Sequence, residues 1–171
     1  MNVKITLGEL RSLIRESMVS ALGDNQSVEI KTEGGRSITI SIKEVGKPRA
    51  HSPGAITLQR VQVPDGIIWE VVNSAAQKGY GPLLYDLAME YVVNELGDLG
   101  LTCDTTSVSG EAQRVWNYYL NNRPDVEHEL LPEKFRHAKD RPEPLQYYYY
   151  KMSSTYLDQF RDEGKLEIVE E

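Results

Sequence analysis

The residues best suited to chemistry lie between positions 67 and 89, in the segment IIWEVVNSAAQKGYGPLLYDLAM. An apolar run typical of a buried strand leads into a loop with Gly79 and Gly81, which opens into an amphipathic helix. The first turn of a helix presents unpaired N–H groups and the positive end of the helix dipole, and glycines let a ligand approach the main chain. The segment therefore predicts a phosphate or pyrophosphate site, with Lys78 as a positive charge at its rim.

Two common nucleotide motifs do not fit this segment. A P-loop needs Gly-Lys-Ser/Thr at the helix start, but Gly81 is followed by Pro82 and Leu83. A dinucleotide fingerprint needs a third glycine where Leu84 stands. Two glycines before a helix also occur without any ligand, so the surrounding elements must decide the interpretation.

The segment resembles motif A of the GNAT superfamily of acyl-CoA-dependent N-acyltransferases, which reads strand, Arg/Gln-x-x-Gly-x-Gly/Ala, helix. The pattern falls on Ala76-Gln77-Lys78-Gly79-Tyr80-Gly81, with alanine at the first position and glutamine one place late. The resemblance implies acetyl-CoA as cosubstrate, with its pantetheine arm paired to the main chain of Val71, Val72 and Asn73. The residues that would hold the pyrophosphate are Gln77, Lys78, Gly79, Tyr80, Gly81 and Pro82.

The resemblance also implies an acid and a base for acetyl transfer to an amine. In the family a tyrosine on the helix after the next strand often protonates the departing thiolate, and here Trp116 occupies that position. Tyr119 or Tyr118 would take over this role, although paired tyrosines on a helix also serve packing. Glu70 is the best-placed general base, acting directly or through water, or else a carboxylate on the wetter face of its strand.

The other polar and aromatic residues give weaker indications of function. The histidines at 51, 128 and 137 fall in predicted loops without the helical spacing of metal ligands, so no metal site is expected. Asp104 either orients substrate or caps the following turn. The aromatic run Tyr147–Tyr150 lacks the interleaved basic residues of a nucleic-acid stacking platform, and packing is its expected role.

The elements that must position these residues follow from hydrophobic periodicity. Thr6 and Glu9 form a capping box before an amphipathic helix over about 7–22, and Glu33-Gly34-Gly35 joins the strands 27–32 and 37–45 in a hairpin. The remaining expected elements are strands 55–63, 67–73, 99–105 and 147–152, helices 82–97, 109–122 and 154–161, and loops 46–54 and 123–144. Strand 99–105 should run parallel to strand 67–73, because a helix connects them. The expected fold is mixed α/β, a GNAT-like mixed sheet flanked by helices.

Length and charge set the domain organisation. With 171 residues and 40% hydrophobic residues, the chain predicts one domain over 27–157, preceded by the helical segment 1–26 and followed by an acidic extension, 158–171. The net charge is −7, and the extension carries six acids against two bases. This balance argues against a general electrostatic grip on nucleic acid or anionic lipid.

The predicted setting is the cytoplasm. The single cysteine, Cys103, excludes an internal disulfide, and no apolar run or secretion signal indicates a membrane or export. The leader Ile5–Met18 resembles the short amphipathic leaders of bacteriophage-encoded proteins, so a phage origin and a host cytoplasm are expected. The leader helix should pack on the domain, form a homodimer or dock a partner. The alternative to amine acetylation is a weakly active or inactive binding or assembly module with the same fold.

Overall fold

Strands dominate the part of the chain that the computed structural model describes, which comprises Thr6 and residues 22–104, 108–136 and 141–171. The strands are β1 Gln26–Glu33, β2 Ser37–Glu44, β3 Gly54–Val63, β4 Gly66–Ala76, β5 Gly100–Cys103, β6 Glu127–Leu130, β7 Tyr147–Tyr150 and β8 Leu166–Glu170. They form one mixed sheet of eight strands in the order β6-β7-β5-β4-β3-β2-β1-β8. The helices are α1 Gly81–Glu90, continued by a π-helical turn over Tyr91–Glu95, α2 Gly110–Asn122 and α3 Thr155–Asp162. The predicted mixed α/β class is confirmed.

The first four strands form an antiparallel meander that begins with the predicted hairpin. Its turn places Gly34 and Gly35 at φ of 54° and 65°, the left-handed region that a tight hairpin turn requires at both central residues. On β2, Ile38, Ile40 and Ile42 are buried and alternate with half-buried polar residues. One face of the sheet is therefore apolar, and the helices pack on it.

Helix α1 is the central helix of the structure. Every residue from Leu83 to Val92 is buried, including the carboxylates of Asp86 and Glu90. A helix buried on all sides lies inside the core, between the sheet and other helices. The predicted leader helix falls, apart from Leu22, outside the described residues.

The central strands β4 and β5 are parallel, as predicted, but they pair only between Ile68–Val71 and Gly100–Cys103. Strand β4 then continues to Ala76, past the predicted strand end at residue 73. Its pairing with β3 shifts between Thr57 and Leu58, which leaves Val72 as the extra residue of a β-bulge. A bulge bends and twists a strand, so β4 turns away from β5 directly after the last shared pair.

Two strands lie where the sequence predicted none. Strand β6 falls in the predicted loop 123–144 and pairs with β7, and β8 falls in the predicted acidic extension and runs parallel to β1. Residues 158–171, where the sequence analysis placed an acidic extension, contribute the end of α3 and the edge strand β8. Both are short edge strands rich in glutamate, a residue depleted in strands, which is why their sequences did not indicate them.

Candidate functional site

The divergence of β4 and β5 opens a cleft, here called the β4/β5 cleft, between these strands and the helices α1 and α2. Its inner part, about 270 Å³, is bounded by Val71, Val72, Asn73, Asp104, Val108 and Trp116. Its outer part, about 380 Å³, is bounded by Ala75, Ala76, Gly81, Leu84, Glu111 and Val115. Ser74, Tyr85, Ser109 and Ala112 line both parts and mark their junction. The two parts therefore adjoin one another, the outer one at the start of α1 and the inner one where the strands separate.

One wall of the cleft is the free edge of β4. Residues 72–76 are exposed, and within the described residues no strand pairs with them on the side that β5 occupies earlier. An extended chain with amide groups can add to such an edge as a further strand. The edge lies within the cleft, so a ligand paired to it would be held between the sheet and the helices.

The loop before α1 closes the outer end of the cleft. The amide of Gln77 donates to the carbonyl of Pro53 at 2.8 Å, and the amide of Tyr80 donates to the carbonyl of Gln77 at 3.1 Å. The amides of Lys78, Gly79 and Gly81 have no main-chain acceptor in the described part of the chain. No side chain caps the helix at Tyr80, and its first turn carries no acid. The start of α1 thus keeps its N–H groups and its positive dipole end available to an anion.

The two glycines of this loop are needed for different reasons. Gly79 has φ of 96°, a conformation that other residues rarely adopt, so the backbone itself requires glycine there. Gly81 has no such φ, and a Cβ at this position would meet only the Cβ of Ala76, at 4.0 Å. Neither strain nor packing explains glycine at position 81, whereas a ligand lying against its main chain would.

Tyr85 is the residue of the cleft that the sequence analysis missed. Its side chain is 4% exposed, its ring stands edge-on to Trp116 at 5.5 Å, and its hydroxyl shares a 3.1 Å hydrogen bond with the hydroxyl of Ser74. Burial raises the pKa of Tyr85, and the bond with Ser74 opposes this rise. The signal available in the sequence was its place four residues after Gly81, one helical turn into α1.

The tyrosines predicted as acids do not line the cleft. The hydroxyl of Tyr119 donates to Asp86 at 2.7 Å, and Arg123 donates to the same carboxylate oxygen at 2.9 Å. Tyr119 is 2% exposed, and burial together with the carboxylate of Asp86 holds its pKa well above the usual range. Tyr118 is half-buried and is absent from the residues that bound either part of the cleft. Trp116, by contrast, forms part of the inner wall.

The predicted base, Glu70, lies beside the cleft on the other face of the sheet. Its neighbour Val71 packs in the core on the helix side, and Ile68 packs in the separate apolar cluster on the opposite side. Because alternate residues of a strand point to opposite faces, Glu70 lies on the face of Ile68. Its side chain is 9% exposed and sits level with Thr102 of β5, at the last paired residues before the strands separate.

The predicted ligand-binding residues run from β4 through the loop to the start of α1. Val71, Val72 and Asn73 bound the inner part of the cleft, Gly81 bounds the outer part, and the residues between them form the free edge of β4 and the loop. Gln77, Lys78, Gly79 and Pro82 are exposed at the outer end, and the hydroxyl of Tyr80 donates to Gln26 at 3.2 Å.

Comparison with known proteins assigns no family to this chain. A scan against models of protein families gives no match, and a search of curated proteins finds no relative. Across the described residues, no helix is long and apolar enough to cross a membrane.

Proposed function

We propose that the protein is an acyltransferase of the GNAT type that transfers an acetyl group from acetyl-CoA to a primary amine. The observation that carries this proposal is the β4/β5 cleft, which joins an open helix start with a glycine at position 81 to the free edge of a diverging strand. Acetyl-CoA has the matching order of groups, namely a pyrophosphate, an extended arm with two amides, and a thioester.

The start of α1 supports binding of the pyrophosphate. The free amides of Lys78, Gly79 and Gly81 would donate to phosphate oxygens, and the helix dipole would add to this attraction. The exposed ammonium of Lys78 supplies a further charge. The described residues that bound the cleft include two carboxylates, Asp104 and Glu111, and no basic side chain. Main-chain groups would therefore provide most of the recognition of the anion.

The free edge of β4 supports binding of the pantetheine arm. An arm with two amides resembles a short peptide, and it would pair with the main chain of residues 72–76 as an added strand. The thioester would then reach the inner part of the cleft, beside Val71 and Val72. Glu70, on the opposite face at this level, would accept a proton from an amine that enters from that face.

The proposed rate acceleration comes from positioning and local electrostatics. An amine held beside the thioester reacts as if it were present at a very high concentration. Backbone N–H groups at the bulge around Val72 would stabilise the oxyanion of the tetrahedral intermediate, because a bulge leaves N–H groups outside the ladder of paired strands. The protein would therefore need no group that forms a covalent intermediate.

Substitution of Gly81 tests the proposed site. Gly81→Val places a side chain in open space without straining the backbone, so the protein should keep its fold. Calorimetry should show CoA binding weakened by at least about tenfold, equivalent to about 1.4 kcal/mol. The matched control is Gly110→Val, because Gly110 is also the first residue of a helix and a Cβ at this position would meet no atom within 4 Å. Unchanged CoA affinity in folded Gly81→Val would refute the assignment of the site.

A binding or assembly module is the second candidate function. Trp116 favours it, because an indole that is 1% exposed and packs between Tyr85 and Tyr149 offers no acid to a leaving group. A panel of primary amines, assayed by release of the CoA thiol, separates the two functions. Thiol release that depends on the amine supports the transferase, whereas CoA binding without turnover on any amine supports the module.

A further inference from the structure

The β4/β5 cleft has one phenol on its described walls, and it belongs to Tyr85. The hydroxyl of Tyr85 shares a 3.1 Å hydrogen bond with the hydroxyl of Ser74 of β4, and both residues line the inner part of the cleft. Cys103 is the last residue of β5 and pairs with Val71. The hydroxyl therefore lies in the part of the cleft that begins where the two strands separate.

Tyr85 and Tyr119 differ in what their hydroxyls contact. Tyr119 donates its proton to the buried carboxylate of Asp86, which Arg123 also binds, so its hydroxyl is already engaged. Among the described residues, the hydroxyl of Tyr85 bonds to a neutral hydroxyl, that of Ser74, which can act as donor or as acceptor. A phenol bonded to a neutral hydroxyl can turn its proton towards a ligand, whereas Tyr119 would first have to give up a charge-assisted hydrogen bond to a buried carboxylate.

We propose that Tyr85 is the general acid that protonates the departing thiolate of CoA, and that Ser74 stabilises the phenolate which forms. This inference rests on the proposed acetyl transfer. It explains how a chain with tryptophan at position 116 and a fully engaged Tyr119 retains a proton donor at the thioester.

The proposed step transfers the acetyl group from sulfur to nitrogen and a proton from Tyr85 to sulfur. The amine nitrogen bonds to the carbonyl carbon, and the C–S bond breaks with its electron pair left on sulfur. The O–H proton of Tyr85 moves to that sulfur and gives the CoA thiol, while the hydroxyl of Ser74 donates to the phenolate oxygen. The proton that the amine loses passes through Glu70 or water to solvent, and the phenolate regains a proton from solvent. Protonation avoids a bare thiolate in a poorly hydrated cleft.

The test compares Tyr85→Phe with Tyr91→Phe. Both tyrosines are 4% exposed. Tyr85 lies in α1 and Tyr91 in the π-helical turn that continues it, but Tyr91 does not line the described walls of the cleft. Loss of a general acid should lower the turnover number of Tyr85→Phe by about a hundredfold, with CoA affinity unchanged. Ser74→Ala should lower it by a smaller factor, and Tyr91→Phe should match the wild type.

A second measurement needs no acceptor. The thiolate of bound CoA absorbs ultraviolet light at short wavelengths where the thiol does not, so a pH titration of the complex gives the pKa of its thiol. A donor at the sulfur stabilises the thiolate, so this pKa should be higher in Tyr85→Phe than in the wild type and in Tyr91→Phe. Equal thiol pKa values in all three complexes, or equal turnover in Tyr85→Phe, would overturn the role of Tyr85 and leave acetyl transfer standing. Failure of the wild type to bind CoA would overturn both proposals.

Discussion

The helices α1 and α2 begin at the same cleft, but their N-termini are built differently. At α2 the hydroxyl of Ser109 accepts a hydrogen bond from the amide of Ala112 at 3.2 Å, and Glu111 places a carboxylate in the first turn. At α1 no side chain caps the helix and the first turn carries no acid. The chain therefore satisfies one helix start internally and leaves the donors of the other unpaired.

Because of this difference, we expect the N-terminus of α1, and not that of α2, to bind an anion. A capped helix start with its own carboxylate has little affinity for an anion, because the cap accepts a hydrogen bond from an N–H group and the carboxylate offsets the positive end of the dipole. An uncapped start next to an open glycine keeps both its N–H groups and its positive potential. Ser109 and Glu111 line the outer cleft together with Gly81, so the anion of a ligand should lie towards α1 and away from the carboxylate of α2.

Of the effects expected from this comparison of the two helix starts, the largest comes from giving α1 the charge that α2 carries. Pro82 is exposed in the first turn of α1, and Pro82→Glu places a carboxylate beside the proposed pyrophosphate site. Repulsion between like charges at close range should weaken CoA binding by at least about tenfold. Pro82→Gln is the control, because it has the same shape without the charge.

The thermal stability of Pro82→Glu should change little. Removal of proline costs about 0.4–1 kcal/mol through the unfolded chain, and a carboxylate at a helix N-terminus returns about 0.3–1 kcal/mol. Calorimetry of CoA binding and thermal melting therefore report separate effects. If Pro82→Glu and Pro82→Gln bind CoA equally well, the anion does not lie at α1.

The sequence analysis predicted the strands around the site better than the edges of the sheet. Buried strands such as β2 and β4 carry β-branched residues at regular spacing. This pattern indicates a strand from its own residues, whichever strands it pairs with. Strands β6 and β8 depend on a single partner strand each and are rich in glutamate. Their pairing is a property of the assembled sheet, which local composition does not encode.

Within the site, the main chain of the strand and loop follows from local sequence, whereas the contacts of the helix side chains depend on the assembled core. Loop glycines and the strand before them are local features, so Val71 to Gly81 could be identified. The family resemblance implied Tyr119 or Tyr118 as the acid, but the position of Asp86 on another helix decides what the hydroxyl of Tyr119 contacts. Tyr85 lies in a stretch that is buried on every side, where periodicity cannot distinguish a residue of the cleft from one of the core.

Removal of the cap at α2 should affect stability rather than binding. Ser109→Ala loses the acceptor for the amide of Ala112 and should lower the free energy of unfolding by about 1 kcal/mol. Ser154 is a matched control, because it stands at the N-terminus of α3 without a side-chain hydrogen bond to the helix. Urea denaturation should show a smaller loss in Ser154→Ala, and equal losses in both variants would contradict the proposed difference in capping.

The smallest effect is expected from removing the acid at α2. Glu111 bounds the outer cleft and would repel a bound pyrophosphate, so Glu111→Gln should strengthen CoA binding by about two- to fivefold, equivalent to about 0.4–1 kcal/mol. The same change weakens the interaction with the helix dipole and should lower the free energy of unfolding by about 0.3–1 kcal/mol. Asp158→Asn is the control, because Asp158 lies in the first turn of α3 and is absent from the walls of the cleft. The gain in CoA affinity should fall as salt is added, since screening weakens repulsion between exposed charges. A gain that persists at high salt, or that also occurs in Asp158→Asn, would show that Glu111 does not face the anion.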